Sequence, residues 1–268
     1  RIFPIKEVAD IGRKHGIPLI IDNTAAPVIC RPLEHGAAIV MHSLTKYIGG
    51  HGTTIGGIIV DGGNFDWAAN PKRQPLFNEP DPSYNGAIWG RDVPKMTGAN
   101  VAFAIRARVV LLRDLGAPLS PFNAFQIIQG LETVAIRMKQ HCANAEKVVK
   151  FLETQKKVKN VIYPTNHQGE IRDRAKRYMK GGYGSLVGMD LGSLEAGSKF
   201  INNLKLLYHV ANIGDARSLA IHPASTTHGQ LNEKQLAEAG VTPGYVRLSI
   251  GIEHPDDIIA DIEQALAA

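Results

Sequence analysis

Short apolar runs alternate with polar and glycine-rich segments in the first half of the chain. Three of these runs, at residues 17–22, 37–42 and 55–60, have the length and the β-branched content of strands. The first run is almost continuously apolar until it ends at Asp22, which is typical of a parallel strand buried on both faces. A helix is predicted before it, because apolar residues recur at roughly helical spacing ahead of His15-Gly16: Ile5, Val8, Ala9 and Ile11.

Longer helical patterns follow. A helical stretch is predicted from Asn100 to Arg113, and Ser120-Pro121 is a cap followed by a first-turn proline that opens a long helix toward Lys150. We expect that helix to bridge two domains. Residues 64–98 contain five prolines and no periodicity, so they are predicted to be mostly loop and are a candidate active-site loop.

The second half predicts a smaller α/β domain. Strands are expected at 158–163, 185–191 and 245–250, and helices at 193–205 and 255–267. The resulting division is a larger domain over residues 1–138 and a small C-terminal domain over 139–268.

Composition excludes several classes of protein. The chain has 268 residues, of which 44% are hydrophobic, enough for a sizeable core. Its net charge of +5 comes from Lys and Arg interspersed with acids and not gathered with aromatics, so no nucleic-acid partner is expected. No run approaches the roughly 20 apolar residues of a membrane span, and no signal peptide is visible, so a cytoplasmic protein without a membrane partner is expected. Cys30 and Cys142 are expected to be reduced thiols.

Lys46 carries the strongest chemical signal. An apolar strand delivers it to a hydroxyl-rich turn beside Gly49-Gly50, the usual presentation of a Schiff-base lysine. A pyridoxal phosphate (PLP) site also needs a carboxylate for the ring nitrogen and hydroxyls for the phosphate. Asp22 is the candidate carboxylate, and Ser43 and Thr45 are the candidate hydroxyls.

Each of these residues has an ordinary alternative: a solvated lysine, a strand-end cap, or turn hydroxyls. Lys46 and Asp22 lie twenty-four residues apart at two strand ends. Together they indicate a PLP site far more specifically than either residue does alone.

Residue spacing argues against two other kinds of site. His35, His42 and His51 match no metal-ligand spacing, so no metal is expected. The glycines after Lys46 lack the order of a nucleotide-binding P-loop, because the lysine precedes them.

The chain resembles the Cys/Met-metabolism family of PLP-dependent enzymes from these residues to its C-terminus. The landmarks are Asp22-Asn23-Thr24, Ser43-Leu44-Thr45-Lys46-Tyr47, Gly49-Gly50-His51-Gly52, Ser120-Pro121-Phe122, Gly130-Leu131-Glu132-Thr133, His222-Pro223-Ala224-Ser225 and Arg247-Leu248-Ser249-Ile250-Gly251. The resemblance implies a PLP-dependent transferase type I fold, similar to aspartate aminotransferase, of the α/β class. Residues 1–138 would be the remnant of the PLP-binding domain. It further implies a homotetramer.

The resemblance also assigns the substrate-binding residues. Arg247 would bind the α-carboxylate of an amino-acid substrate, and Asn212 stands where relatives bind the same group. Period-two alternation places Arg247 on the strand face opposite Val246 and Leu248.

Two segments, 77–86 and 212–219, look most like the O-acetylhomoserine sulfhydrylase (homocysteine synthase) branch of the family. That branch replaces the acetate of O-acetyl-L-homoserine with sulfide or a small thiol, giving homocysteine or methionine. A cystathionine or methionine γ-lyase and a cystathionine γ-synthase remain alternatives within the family. A non-catalytic fragment or assembly module is the alternative of another class.

The family's N-terminal portion has no counterpart in these residues. In relatives it carries a glycine loop for the phosphate, a tyrosine that stacks on the ring and an arm that reaches the neighbouring subunit. We therefore expect either a piece of a longer polypeptide or a chain that does not work alone.

Overall fold

A computed structural model of the chain describes residues 2–268. Its first part contains a small mixed sheet in the order β1-β2-β3, with β2 parallel to β1 and antiparallel to β3. A helix precedes the sheet, as the apolar spacing predicted. The bounds are α1 Ile5–Lys14, β1 Ile20–Asp22, β2 Ile39–Ser43 and β3 Gly57–Asp61.

The prediction that residues 17–22 form a buried strand is wrong in extent and in burial. Only Ile20–Asp22 is a strand, Ile20 is 48% exposed, and Asp22 is exposed as well. The physical reason is that, within residues 2–268, β1 pairs only with β2 and is therefore an edge strand. Some apolar side chains on β2 and β3 are also exposed, because no other element of residues 2–268 packs over them closely enough to bury them. These are Met41, Ile58, Ile59 and Val60.

The proline-rich region is more helical than its sequence predicted. It contains α2 (Pro75–Asn78) and α3 (Trp89–Thr97), and the predicted helical stretch follows as α4 (Ala102–Arg106), a π-helical segment (Ala107–Leu112) and α5 (Arg113–Leu115). The prediction of mostly loop over 64–98 is wrong for α3. Trp89 and Val93 are buried against Trp67 and Phe77, and this tertiary burial outweighs the cost of Pro94 inside the helix.

The long helix α6 spans Pro121–Glu153 and begins as predicted, with Ser120 accepting a hydrogen bond from the Asn123 N–H. The first part of α6 packs against residues near Lys46, through Ile127, Val134, Met138 and Cys142. Its last part enters the larger core of the second sheet, through Ala145, Val148, Val149 and Leu152. The helix therefore belongs to both cores, and the domain boundary at 138/139 stays a prediction.

The second sheet has the order β4-β5-β8-β7-β6 and is antiparallel except for β6 and β7. The three predicted strands and two predicted helices are present. The short β6, β7 and α9 were not predicted, because they offer too few residues for a pattern. The ten-residue α7 was not predicted because most of its side chains are charged, which leaves no apolar periodicity. The elements are β4 Asn160–Ile162, α7 Gly169–Tyr178, β5 Leu186–Asp190, α8 Leu194–Asn203, β6 Tyr208–His209, β7 Leu219–Ile221, α9 Glu233–Glu238, β8 Tyr245–Ser249 and α10 Pro255–Ala267.

Strand β8 lies in the middle of this sheet and carries Arg247. Val246 and Leu248 are fully buried in the core, whereas Arg247 points to the opposite face and is partly exposed. The predicted alternation is confirmed. None of the helices in residues 2–268 is long and apolar enough to cross a membrane.

Asp261 fastens α10 to the segment that leads into β6. Its side chain is 6% exposed, and its carboxylate accepts the backbone N–H groups of Lys205, Leu206 and Leu207 at 2.8, 2.9 and 3.0 Å. A buried carboxylate is tolerated here because these three N–H groups, together with Gln264 Nε2 at 2.9 Å, replace its water.

We predict that Asp261→Asn lowers the free energy of unfolding by roughly 2–4 kcal/mol, because the amide keeps one acceptor oxygen and turns an NH₂ group toward backbone donors. Denaturant unfolding of the two proteins measures this. Glu263→Gln, an exposed position on the same helix, is the matched control and should change stability by less than about 0.5 kcal/mol. Equal stability of Asp261→Asn and the control would show that the Asp261 carboxylate does not fasten α10 to the segment before β6.

Candidate active site

Lys46 lies on a short helical turn directly after β2. Residues 44–50, here named the Lys46 turn, are closed by hydrogen bonds from the Gly49 N–H to the Leu44 carbonyl at 2.8 Å and from the Gly50 N–H to the Lys46 carbonyl at 2.7 Å. Leu44, Tyr47 and Ile48 have the spacing of one helix face and are buried. Their burial leaves Thr45 and Lys46 on the opposite, partly exposed side.

The structure brings together three of the residues selected from the sequence. The Lys46 Nζ donates a hydrogen bond to Asn212 Oδ1. The Arg247 Nη2 donates to the backbone carbonyl of Asn212 at 3.3 Å. Lys46, Asn212 and Arg247 come from the two halves of the chain, so their meeting is a result of the tertiary fold. The Arg247 Nε is buried and has no hydrogen-bond partner in the part of the chain that the structure describes.

The loop that carries Asn212 is fixed against the Lys46 turn. The Ala216 N–H donates to the Gly50 carbonyl at 2.8 Å, and the Gly214 N–H donates to Ser249 Oγ at 3.0 Å. A Cβ atom on Gly214, whose φ is +71°, would lie 2.5 Å from the Tyr47 ring. Only glycine therefore allows this approach, which keeps Asn212 opposite Lys46.

Asp22 and Ser43 lie on one face of the first sheet. Asp22 is paired with Met41 in the parallel register, and Ser43 follows Met41 by two residues, so both side chains point to the same face. Thr24 connects them: its N–H donates to Asp22 Oδ1 at 2.9 Å, and its Oγ1 accepts the Ser43 N–H at 2.8 Å. The Lys46 N–H in turn donates to the Ser43 carbonyl at 3.3 Å.

The two candidate hydroxyls differ in their partners. Thr45 Oγ1 accepts the Gly56 N–H at 3.1 Å and donates to the Gly56 carbonyl at 3.4 Å, which ties the Lys46 turn to the residues before β3. No protein group in residues 2–268 hydrogen-bonds the Ser43 hydroxyl. Ser43 is therefore the better placed of the two to bind an added anion, and the phosphate role of Thr45 stays a prediction.

Two other reactive groups near the site, Tyr47 and Cys30, are unsuited to act as a base or a nucleophile. Burial raises the pKa of Tyr47 to about 12 and that of Cys30 to about 11. Both groups therefore keep their protons near neutral pH. Burial lowers the pKa of His42, and the nearby Asp22 carboxylate opposes that shift. Within residues 2–268, no three His, Cys, Asp or Glu side chains are arranged to hold a metal ion.

Sequence reasoning did not single out Thr24 or Arg137. Thr24 was part of a recognised motif, but its role as the link between Asp22 and Ser43 depends on strand pairing. Arg137 donates to the carbonyls of Tyr47 and Ile48 from α6, ninety residues away in sequence. Its only sequence signal is its position four residues after Thr133, on the same face of a helix.

Known proteins of similar sequence include enzymes named as sulfhydrylase and homocysteine synthase. The chain is 50% identical to the O-acetyl-L-homoserine sulfhydrylase of Leptospira meyeri, over 98% of this chain and 60% of that protein. It is 46% identical to the homocysteine synthase of Schizosaccharomyces pombe, over 97% of this chain and 60% of that protein. The chain thus spans about three fifths of the length of these relatives.

A solved structure supports the fold. The putative O-acetylhomoserine (thiol)-lyase of Campylobacter jejuni, which contains N'-pyridoxyl-lysine-5'-monophosphate, superimposes with a TM-score of 0.91 at 39% identity. The superposition covers 100% of this chain and 63% of that one, and it confirms the predicted type I transferase fold. The sequence profile of the family described as Cys/Met metabolism PLP-dependent enzyme matches residues 1–267, and the chain belongs to that family.

Proposed function

We propose that the full-length protein containing this chain replaces the acetate of O-acetyl-L-homoserine with sulfide or a small thiol. The products are acetate and homocysteine, or methionine when the thiol is methanethiol. The observation that carries the proposal is the meeting of Lys46, Asn212 and Arg247 in one site. The relatives named as sulfhydrylase and homocysteine synthase support the choice of substrate.

The residues present fit pyridoxal phosphate as the cofactor. The cofactor has an aldehyde, a pyridine nitrogen and a phosphate, which call for an amine, a carboxylate and hydrogen-bond donors. Lys46 would hold the aldehyde, and Asp22 would pair with the ring nitrogen. Ser43, whose hydroxyl has no protein partner in the described chain, would bind the phosphate together with Thr45.

The bound cofactor supplies an electron sink for the pair left at Cα when the α-proton is removed. Lys46 is the proposed base: its Nζ, once free, takes the proton from Cα. Asn212 Oδ1 accepts a hydrogen bond from that nitrogen and so orients it. The neighbouring Tyr47 is unsuited to act as this base, because its high pKa keeps the phenol protonated near neutral pH.

Arg247 is proposed to bind the α-carboxylate of the substrate. One of its nitrogens donates to the Asn212 carbonyl, while the buried Nε has no protein partner among residues 2–268 and is available to an anion. A planar guanidinium can bind a carboxylate through two parallel hydrogen bonds, which fixes the orientation of Cα relative to Lys46. Replacement also removes a proton from Cβ, and the electron pair left there allows acetate to leave Cγ with the pair of the Cγ–O bond. Sulfide or the thiolate then supplies the pair of the new Cγ–S bond, and the protons taken from Cα and Cβ are returned to those carbons.

We further propose that the protein forms a homotetramer, as the family resemblance implies, and that it acts in the cytoplasm.

We predict that Lys46→Ala abolishes the borohydride-reducible absorbance of the cofactor in the full-length protein, because the amine that holds the aldehyde is gone. Absorbance spectra before and after reduction, with peptide mapping of the adduct, measure this. Lys156→Ala, an exposed position after α6, should retain the parent signal. A reducible band that persists in Lys46→Ala would show that another lysine is the anchor.

We predict that Arg247→Lys lowers kcat/KM for O-acetyl-L-homoserine by about 10- to 100-fold, because an ammonium cannot reproduce the paired hydrogen bonds of the guanidinium. Steady-state kinetics should show the change mainly in KM. Arg177→Lys, at an exposed position on α7, controls for the substitution itself. An unchanged KM would remove Arg247 from the carboxylate site.

Product and cofactor analysis separates the proposed reaction from a γ-lyase and from a non-catalytic module. With O-acetyl-L-homoserine and sulfide, we expect homocysteine and acetate in equal amounts, since replacement consumes one sulfide for each acetate released. Release of ammonia and an oxoacid would instead identify a γ-lyase. A full-length protein that does not bind pyridoxal phosphate would support a non-catalytic module.

A further inference from the structure

Arg137 is a buried cation that contacts the Lys46 turn. It lies on α6 and is 6% exposed. Its Nη1 donates to the Tyr47 carbonyl at 2.6 Å, and its Nη2 donates to the Ile48 carbonyl at 2.9 Å and to the Gly130 carbonyl at 2.7 Å. Its Nε donates to Thr133 Oγ1 at 3.2 Å. Every nitrogen of the guanidinium is therefore occupied.

These partners are unusual for a buried arginine, because all of them are neutral oxygens. Burial lowers the pKa of the Arg137 guanidinium, which reflects the cost of taking the cation out of water. Two of the compensating groups, the carbonyls of Tyr47 and Ile48, lie at the end of the Lys46 turn, where a helical segment leaves its last C=O groups without partners. A cation at that position satisfies them and interacts favourably with the dipole of the turn.

The packing around Arg137 leaves little freedom. A Cβ on Gly50 would lie 2.4 Å from the Arg137 Nη1, and a Cβ on Gly130 would lie 2.5 Å from the carbonyl oxygens of Ile48 and Gly49. Gly50 also has φ +78°, a conformation that favours glycine. The backbones of α6 and the Lys46 turn are thus in direct contact, and the guanidinium fills the space beside that contact.

We propose that Arg137 is a positioning residue for Lys46, because its guanidinium holds the carbonyls that follow Lys46 and so fixes the direction of the amine. This inference rests on the proposed role of Lys46 as the cofactor-binding base. A reacting amine must be held within a fraction of an ångström, and a misplacement of about 1 Å can cost about 100-fold in rate. Arg137 contacts neither substrate nor cofactor in this assignment.

The test uses the full-length protein, three variants at Arg137 and Thr133, and one control variant. Arg137→Met removes the charge and all donors, and Arg137→Lys keeps the charge but cannot reach all the carbonyls. Thr133→Val keeps the guanidinium and removes the oxygen that holds its Nε. Lys147→Gln, at an exposed position on the same helix, is the matched control for loss of a positive charge.

Two rates are measured for each protein. The first is the rate at which cofactor-free protein forms a borohydride-reducible adduct at Lys46 after pyridoxal phosphate is added. The second is turnover of O-acetyl-L-homoserine with sulfide, divided by the number of sites trapped at Lys46. This division removes the effect of a smaller folded or loaded fraction, which is all that a merely structural role would change.

We expect Arg137→Met to lower both rates by about 10- to 100-fold with KM changed less than about threefold. Arg137→Lys should be intermediate, Thr133→Val should lower both rates by about two- to fivefold, and Lys147→Gln should match the parent. If Arg137→Met does not fold, the graded losses in Arg137→Lys and Thr133→Val decide the question.

Parent-like rates per trapped site in the Arg137 and Thr133 variants, with only a lower melting temperature, would overturn the inference. A parent protein that traps the cofactor at Lys46 but makes no homocysteine would overturn the proposed substrate alone, because the adduct-forming rate still tests Arg137. A parent without any adduct at Lys46 would overturn both.

Discussion

Tyr47 is completely buried, and the position of its neighbour Lys46 depends on that burial. The ring packs against Gly214, and its hydroxyl hydrogen-bonds Ser185 at 2.7 Å, next to the second sheet. Because Leu44 and Ile48 are buried on the same side, the turn has one orientation that satisfies its apolar face. Lys46 then has to point away from the core, toward Asn212. Hydrophobic burial thus fixes the direction of a polar group.

Much of this arrangement could be predicted from the sequence. Local periodicity in the sequence predicts the strands that end near Asp22 and Ser43. It also predicts the alternation of buried and exposed residues within β8. The cap at Ser120 and the long helix after it are equally local. The grouping of Lys46, Asn212 and Arg247 came instead from the family resemblance, since nothing local relates residue 46 to residue 212.

The rest could not be predicted, for physical reasons that differ from case to case. The exposure of Ile20 depends on what pairs with the edge of β1, and α3 depends on tertiary burial of Trp89 and Val93 despite Pro94. The sequence gives no reason to distinguish Thr45 from Ser43 as a phosphate ligand. The difference appears only in the fold, where the Thr45 hydroxyl hydrogen-bonds the backbone of Gly56. The sequence around Arg137 is that of an ordinary helix arginine. Its role depends on the contact between α6 and the Lys46 turn, which the sequence does not reveal.

Asn212 accepts hydrogen bonds from two side chains. Its side-chain Oδ1 accepts from Lys46, and its backbone carbonyl accepts from Arg247. Every amino acid brings a main-chain oxygen, so the Arg247 contact does not require asparagine at this position. The Lys46 contact does require an acceptor side chain of suitable length. Sequence variation at residue 212 would therefore tune the environment of the amine while leaving the guanidinium anchored, which makes the two ends of the site separable in evolution.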